Sequence, residues 1–127
     1  MKEIISIIRM NKVSATKEAL SEAGYPAFIG EKVNGRGKLM VNTQILNDLI
    51  KGDEISSPEV METITENDRL LAKRMLTIVV PDEDAKKIID IIIDVNQTGD
   101  KGDGKIFVCP IDEAMRIRTG ETGNEAI

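Results

Sequence analysis

The feature that most constrains the fold is a strand–helix–strand order that occurs twice along the chain. Short runs rich in β-branched residues indicate strands, and apolar residues that recur at helical spacing indicate amphipathic helices. The predicted helices are 14–24 and 82–99, and the predicted strands are 4–8, 28–33, 74–80, 105–109 and a short final one at 115–118. Two strand–helix–strand units form one antiparallel sheet with both helices on the same face. The sequence therefore predicts a single domain over 1–127, an α+β ferredoxin-like βαββαβ sandwich.

The loop between the second helix and the strand at 105–109 is rich in glycine and lysine. Residues 98–105 have the sequence TGDKGDGK, and glycine lets the backbone take positive φ and approach a ligand closely. Further on, the alternation of Arg116, Ile117 and Arg118 predicts an extended segment with both arginines on one face and the isoleucine toward the core. Guanidinium forks and the Lys105 ammonium suit phosphate oxygens. These residues predict an anion site, and an ordinary turn at a helix end is the alternative that the glycines alone leave open.

Single positions in this loop exclude two familiar motifs. Gly99, Gly104 and Lys105 have the spacing of a Walker A loop, but Ile106 stands where Ser or Thr should hold Mg²⁺. A calcium loop of the EF-hand type beginning at Asp94 fails because its twelfth position is Lys105 rather than Glu. A P-loop NTPase and an EF-hand are therefore both rejected.

Composition excludes other classes of function. A net charge of -5 and 2% aromatic residues argue against nucleic acid as a partner. The chain has no histidine, the commonest general base and metal ligand, so we predict neither an enzyme nor a metal site built by the protein. The lone Cys109 forms no internal disulfide and is expected to be buried and inert. No stretch resembles a signal peptide or is apolar for long enough to enter a bilayer, so we expect a cytoplasmic protein.

The central stretch, 36–72, differs in character from the rest. Polar and acidic residues dominate, although Val41, Ile45 and Leu49 share a helical face and Ser57 precedes a proline as a helix start does. It is too long for a plain connection in a compact domain. We predict an exposed partner-docking loop that orders on binding, and a small helical elaboration without a role is the alternative.

Several stretches resemble the PII nitrogen-regulatory signal proteins. The most specific is GDGKIFV at 102–108, supported by TG at 98–99, RIRTGE at 116–121, the opening MKEI and the closing EAI. The resemblance covers the chain outside the central stretch. It implies a ferredoxin-like fold, and a homotrimer or a hetero-oligomer with a second PII-type chain. It also implies ATP or ADP with Mg²⁺ in clefts between subunits, 2-oxoglutarate beside the nucleotide, and a target-docking T-loop at 36–72.

The resemblance also implies roles for individual residues. Those implied to bind ATP or ADP are Gly35, Gly37, Lys38, Gly102, Asp103, Gly104, Lys105, Arg116 and Arg118, the two arginines acting across the subunit boundary. Those implied to lie at 2-oxoglutarate are Gly37, Leu39 and Lys73, with the lysine pairing with a carboxylate.

Two positions depart from the family pattern. Leu39 stands where the family usually has a glutamine that completes the Mg²⁺ shell, and it has no oxygen to offer. Whether 2-oxoglutarate binds is therefore left open. The only tyrosine, Tyr25, lies outside the T-loop, so the uridylylation of many relatives is not expected.

Within the family, one branch is the most similar. The divergent loop, KRML at 73–76 and VCPIDEA at 108–114 resemble the archaeal and anaerobic branch whose members bind nitrogenase and switch it off. We predict a nitrogen-status signalling protein that docks its T-loop on nitrogenase. A general PII regulator of an ammonium transporter or of glutamine synthetase is the alternative. The loop's acids would steer it to a basic surface, or simply form a solvated face.

Overall fold

The computed structural model describes residues 1–37 and 70–127. The chain divides into two compact units, one formed by Met1–Val33 with Ala72–Ile127 and the other by Asn34–Leu71. The T-loop predicted at 36–72 falls almost wholly in the second unit. Its predicted helical face at 41–49 and helix start at Ser57 lie outside the described residues, as do Lys38 and Leu39.

The predicted antiparallel sheet is confirmed. Its strands are β1 Lys2–Arg9, β2 Ile29–Gly35, β3 Leu71–Val80 and β4 Lys105–Pro110, in the spatial order β2-β3-β1-β4. The central strand β1 runs antiparallel to both β3 and β4, with Arg9 opposite Lys73 and Ile7 opposite Lys105. This register brings the carboxyl end of β1 beside the start of β4, where the glycine-rich loop enters the sheet.

Two helices complete the α+β ferredoxin-like fold. They are α1 Val13–Glu22 and α2 Ala85–Asn96, each preceded by a short 3-10 helix. Every second residue of β1 from Ile4 to Ile8 is buried, as expected of a strand that has one face against helices. The core consists of Ile4, Ile8, Leu20, Leu76, Ile78, Val80, Ile88 and Ile92. Among the described residues, no helix has the length and apolar character needed to cross a membrane.

The ends of the helices differ in detail from the prediction. Ser14 lies inside α1 rather than at its N-cap, because the 3-10 turn at Met10–Lys12 leads into the helix without a side-chain cap. Gly24 follows the end of α1 at a φ of 93°, as predicted for a glycine stop. The helix α2 ends at Asn96, ahead of the predicted Gly99.

Asn96 joins the end of α2 to the start of α1. Its side-chain amide donates to Thr16 Oγ1 at 3.0 Å and to the Ile92 carbonyl at 2.9 Å. Thr16 Oγ1 in turn donates to the Lys12 carbonyl at 2.7 Å. Because Asn96 and Thr16 are both buried, this polar bridge fixes the point from which the glycine-rich loop departs.

The predicted final strand at 115–118 is wrong. Met115 forms only an isolated bridge with Thr122. Between them the chain turns back, with the Gly120 amide donating to the Arg116 carbonyl at 2.7 Å and the Arg116 amide donating to the Glu121 carbonyl at 2.8 Å. Ile117 has a relative exposure of 102% instead of facing the core. The physical reason is Gly120, whose φ of 71° reverses the chain.

Candidate anion-binding site

The glycine loop, residues 98–104, connects α2 to β4. Gly99, Gly102 and Gly104 all have positive φ, at 88°, 93° and 118°, a region that side chains strongly disfavour. A Cβ at Gly104 would lie 2.0 Å from the carbonyl oxygen of Ile7. Only glycine therefore lets the loop pass this close to β1.

Asp103 organises the interior of this loop. Its Oδ2 accepts from the backbone amides of Thr98 at 2.8 Å and Gly99 at 3.0 Å, and its Oδ1 accepts from the Thr98 hydroxyl. Arg9 Nη1 donates to the same Oδ1 at 2.6 Å. The Thr98 hydroxyl and amide, and then Arg9, hold the pKa of Asp103 well below its ordinary value, so the carboxylate is ionised at neutral pH.

Two cations on neighbouring strands hold the loop from the sheet side. Arg9, the last residue of β1, also donates from Nη2 to the Lys101 carbonyl at 3.0 Å. Lys73 is the cross-strand partner of Arg9 on β3 and donates to the Gly102 carbonyl at 2.9 Å. The sequence prediction included Lys73 and missed Arg9. The signal that could have found Arg9 was its place at the end of the first predicted strand, the end that the glycine loop must approach.

The charge at this loop suits a phosphate-bearing ligand. A Cβ at Gly102 would lie 3.4 Å from Arg9 Nη2 and 3.7 Å from Lys73 Nζ, so the bare backbone lies directly beside both cations. Lys105 begins β4 and is exposed. The cations at the loop, which outnumber its acids Asp100 and Asp103, are Arg9, Lys73, Lys101 and Lys105. Cations next to glycine backbone are the donors that phosphate groups take, and the exposed ones here are Lys101 and Lys105.

The described side chains were also compared with the requirements of a metal site. Within 1–37 and 70–127, no group of three His, Cys, Asp or Glu residues is placed to hold a metal ion. A Mg²⁺ ion at this site would depend on ligand phosphates for most of its oxygens, as is usual for this cation.

The arginine turn, residues 116–121, is the second part of the predicted site. Arg116 Nη1 lies 3.2 Å from Glu121 Oε1, and these side chains are 38% and 39% exposed. Arg118 is exposed at the turn. In the part of the chain that the structure describes, no hydrogen bond or ion pair joins either arginine to the glycine loop. One chain alone does not bring the two parts together, so their convergence stays a prediction.

The remaining predicted residues belong to the second unit. Gly35 is the last residue of β2, and Gly37 follows it at the edge of the described residues. Lys38 and Leu39 lie outside them. Their roles at nucleotide or 2-oxoglutarate therefore stay predictions.

Comparison with known proteins gives one consistent match. The family model described as nitrogen regulatory protein P-II matches residues 1–121. The nitrogen fixation nifHD region GlnB-like protein 2 of Methanobacterium ivanovii is 43% identical over 127 residues, covering 100% of this chain and 99% of the relative. The protein of that name from Methanococcus maripaludis is 44% identical over 127 residues and covers 100% of both chains. The crystal structure of Arabidopsis thaliana PII bound to citrate matches with a TM-score of 0.72 and 27% identity, over 99% of this chain and 91% of that one.

Proposed function

Because the chain belongs to the nitrogen regulatory protein P-II family, we propose that it is a cytoplasmic nitrogen-status signalling protein that binds ATP or ADP and 2-oxoglutarate. The observation that carries this proposal is the glycine loop, whose bare backbone lies against Arg9 and Lys73. Proteins of this family are regulatory signal proteins rather than enzymes. The nif-region names of the methanogen relatives support a role in nitrogen fixation.

In this proposal the nucleotide lies along the glycine loop. The backbone at Gly102 and Gly104 approaches the ribose and phosphates, and Lys105 supplies a point charge to a phosphate. Arg116 and Arg118 contact phosphate oxygens from a neighbouring subunit. The phosphate oxygens of the nucleotide hold Mg²⁺, because the described residues include no group of carboxylate, thiol or imidazole side chains placed to hold a metal ion.

A trimer accounts for the separation of the two halves of the site. Phe107 and Val108 of the edge strand β4 are each 47% exposed, and Ile117 at the tip of the arginine turn is fully exposed. A further protein surface would cover apolar side chains of this kind on an edge strand and on a turn. We propose that this surface is another copy of the chain, or a second PII-type chain, which delivers its arginine turn to the glycine loop.

The effector site is proposed at Lys73. The Arabidopsis relative was crystallised with citrate, a polycarboxylate, which supports a place for a small carboxylate ligand in this chain as well. Since the Lys73 ammonium already lies at the glycine loop, a carboxylate that it binds lies next to the nucleotide. Gly37 and Leu39 are the proposed neighbours of 2-oxoglutarate, with Leu39 offering no oxygen to Mg²⁺.

The output is a shift in the T-loop at 36–72. When nitrogen is scarce, 2-oxoglutarate accumulates, binds the ATP-loaded protein and favours the T-loop shape released from its target. Such a shift requires different affinity of the effector for the released and docked states, with a typical coupling of about 1–3 kcal/mol. We propose nitrogenase as the docked target on the strength of the nif-region relatives.

The test is calorimetric titration of the purified protein with Mg-ATP, followed by 2-oxoglutarate on the ATP-loaded sample. We expect both to bind, and we expect the protein to inhibit purified nitrogenase in an acetylene-reduction assay until 2-oxoglutarate is added. Deletion of 42–70 should abolish the inhibition and leave ATP binding intact. Absence of ATP binding by the intact chain would overturn the proposal, and inhibition of glutamine synthetase instead would redirect it to the alternative target.

A further inference from the structure

We propose that Arg9 and Asp103 form a latch that holds the glycine loop in its nucleotide-binding shape, and that both act as positioning residues rather than as ligand contacts. The latch rests on the proposed function, because it concerns how the same loop is prepared for its ligand. Arg9 does not follow from the sequence motif, and the family resemblance implies for Asp103 only a contact with ATP or ADP.

The Asp103 carboxylate already accepts four hydrogen bonds from within the protein. An ionised carboxylate offers about four acceptor positions. The donors to Asp103 are the Thr98 amide, the Thr98 hydroxyl, the Gly99 amide and the Arg9 guanidinium. The carboxylate can therefore serve a ribose hydroxyl only by giving up one of these bonds. Its structural effect is to tie the start of the loop, at Thr98 and Gly99, to its end.

Side chains of the sheet anchor the glycine loop. Arg9 reaches both the Asp103 carboxylate and the Lys101 carbonyl, and Lys73 on the next strand holds the Gly102 carbonyl between them. Three consecutive loop residues are thus each held by a cation of β1 or β3. The side chains of Arg9 and Asp103 are only 25% and 24% exposed, so their ion pair is more shielded from water than a surface pair.

A positioning role and a purely electrostatic role of Asp103 predict opposite changes in nucleotide affinity when the carboxylate is neutralised. A negative charge beside a polyphosphate site opposes binding through charge alone. If Asp103 acted only through its charge, its neutralisation would strengthen nucleotide binding. A latch predicts the reverse, because an asparagine has one acceptor oxygen instead of two and no charge for Arg9, so the loop would lose part of its anchor.

The experiment compares Arg9→Ala, Asp103→Asn and the double variant by titration with Mg-ATP. We expect each single variant to bind about tenfold more weakly, the size of effect for one charge-assisted hydrogen bond. The double variant should bind no more weakly than the weaker single one, because residues of one unit are not additive. Arg9→Lys keeps the charge but not the fork, and should recover only part of the affinity.

A second readout needs no ligand. Hydrogen exchange of the Thr98 and Gly99 amides should be faster in Arg9→Ala and Asp103→Asn than in the wild type, since both amides bond to the latched carboxylate. Lys86→Ala is the matched control: it also removes one positive charge, from an exposed residue of α2 that pairs with Asp90. It should change neither exchange at the loop nor nucleotide affinity.

The outcomes divide cleanly. Unchanged or tighter Mg-ATP binding by Asp103→Asn would overturn the latch. Additive losses in the double variant with unchanged amide exchange would do the same, and would make Arg9 a direct ligand contact. Full affinity in Arg9→Lys would show that charge suffices without the fork geometry. If the wild type binds no Mg-ATP, the proposed function fails, and exchange in the ligand-free protein still decides the latch.

Discussion

The glycine loop and the arginine turn both carry residues suited to anions, and they are held in opposite ways. Contacts from distant strands hold the glycine loop, with Arg9 and Asp103 separated by 94 positions in the sequence. Bonds within a few residues hold the arginine turn, such as those of Arg116 with Gly120 and Glu121. The loop is therefore shaped by the sheet, whereas the turn shapes itself.

This difference indicates that the two regions contribute different groups to a ligand. At the glycine loop, the side chains of Asp103, Arg9 and Lys73 form hydrogen bonds within the protein. The loop therefore offers a ligand mainly its backbone and Lys105. The turn leaves Arg118 and Ile117 exposed. Preorganised backbone lowers the entropy cost of binding, and the exposed guanidinium of Arg118 remains available to the neighbouring subunit that we propose. If the loop depends on the sheet and the turn does not, substitutions in the two regions should differ in their effects.

The largest effect is expected from Gly104→Ala. The new Cβ would lie 2.0 Å from the Ile7 carbonyl oxygen, at a φ of 118°. Overpacking against backbone and the unfavourable φ together should lower the free energy of unfolding by about 3–5 kcal/mol. Urea denaturation followed by circular dichroism measures it.

Gly120→Ala is the matched change in the arginine turn. Gly120 also has positive φ, at 71°, but a Cβ there meets nothing within 4 Å. Its cost should be only the conformational strain, about 1–2 kcal/mol. Equal losses in the two variants would show that the glycine loop is no more constrained by the sheet than the turn is.

The same contrast explains which features the sequence could predict. The strands at 4–8, 74–80 and 105–109 were found to within a few residues, because alternating β-branched residues are a local signal. The segment at 115–118 alternates in the same way, and the competing signal of Gly120 won because the turn closes through local hydrogen bonds. Pattern alone does not tell an extended strand from the arm of a tight turn.

The site shows a second limit. The glycine motif marked the loop, since positive φ is a local requirement. Arg9 was invisible in the motif because its partners, Lys101 and Asp103, lie at the other end of the chain. Only the register of β1 against β3 and β4 places them together. Tertiary pairings of this kind follow from the topology, so they become predictable once the strand order is known.

The next effect concerns Arg118→Ala. Arg118 is exposed, so its removal should leave the free energy of unfolding within about 0.5 kcal/mol of the wild type. Mg-ATP should bind about ten- to a hundredfold more weakly, because a charge-assisted contact with phosphate is lost. Calorimetry at fixed salt measures the affinity, with Lys86→Ala as the charge control. Unchanged affinity would remove the arginine turn from the site.

A further effect on stability is expected at the bridge from which the loop departs. Asn96→Ala removes the donor to Thr16 Oγ1 and to the Ile92 carbonyl. We expect the free energy of unfolding to fall by about 1–3 kcal/mol, the cost of leaving a buried polar group with fewer bonds. Exchange at Thr98 and Gly99 should change less than in Asp103→Asn, and a larger change would mean that the helix end rather than the latch shapes the loop.

The mildest test is acid titration of the loop. Hydrogen bonds from Thr98 and the ion pair with Arg9 lower the pKa of Asp103 in the folded protein. A lowered folded pKa means that Asp103 stabilises the fold fully above its unfolded pKa of about 3.9. That stability is lost as the pH falls toward the folded pKa.

The amide resonances of Thr98 and Gly99 should therefore keep their neutral-pH positions through the range where free aspartates titrate, and shift only in stronger acid. In Asp103→Asn this transition should disappear. A midpoint at or above the ordinary aspartate value would mean that the carboxylate is solvated rather than latched. The glycine loop would then depend on the sheet no more than the arginine turn does.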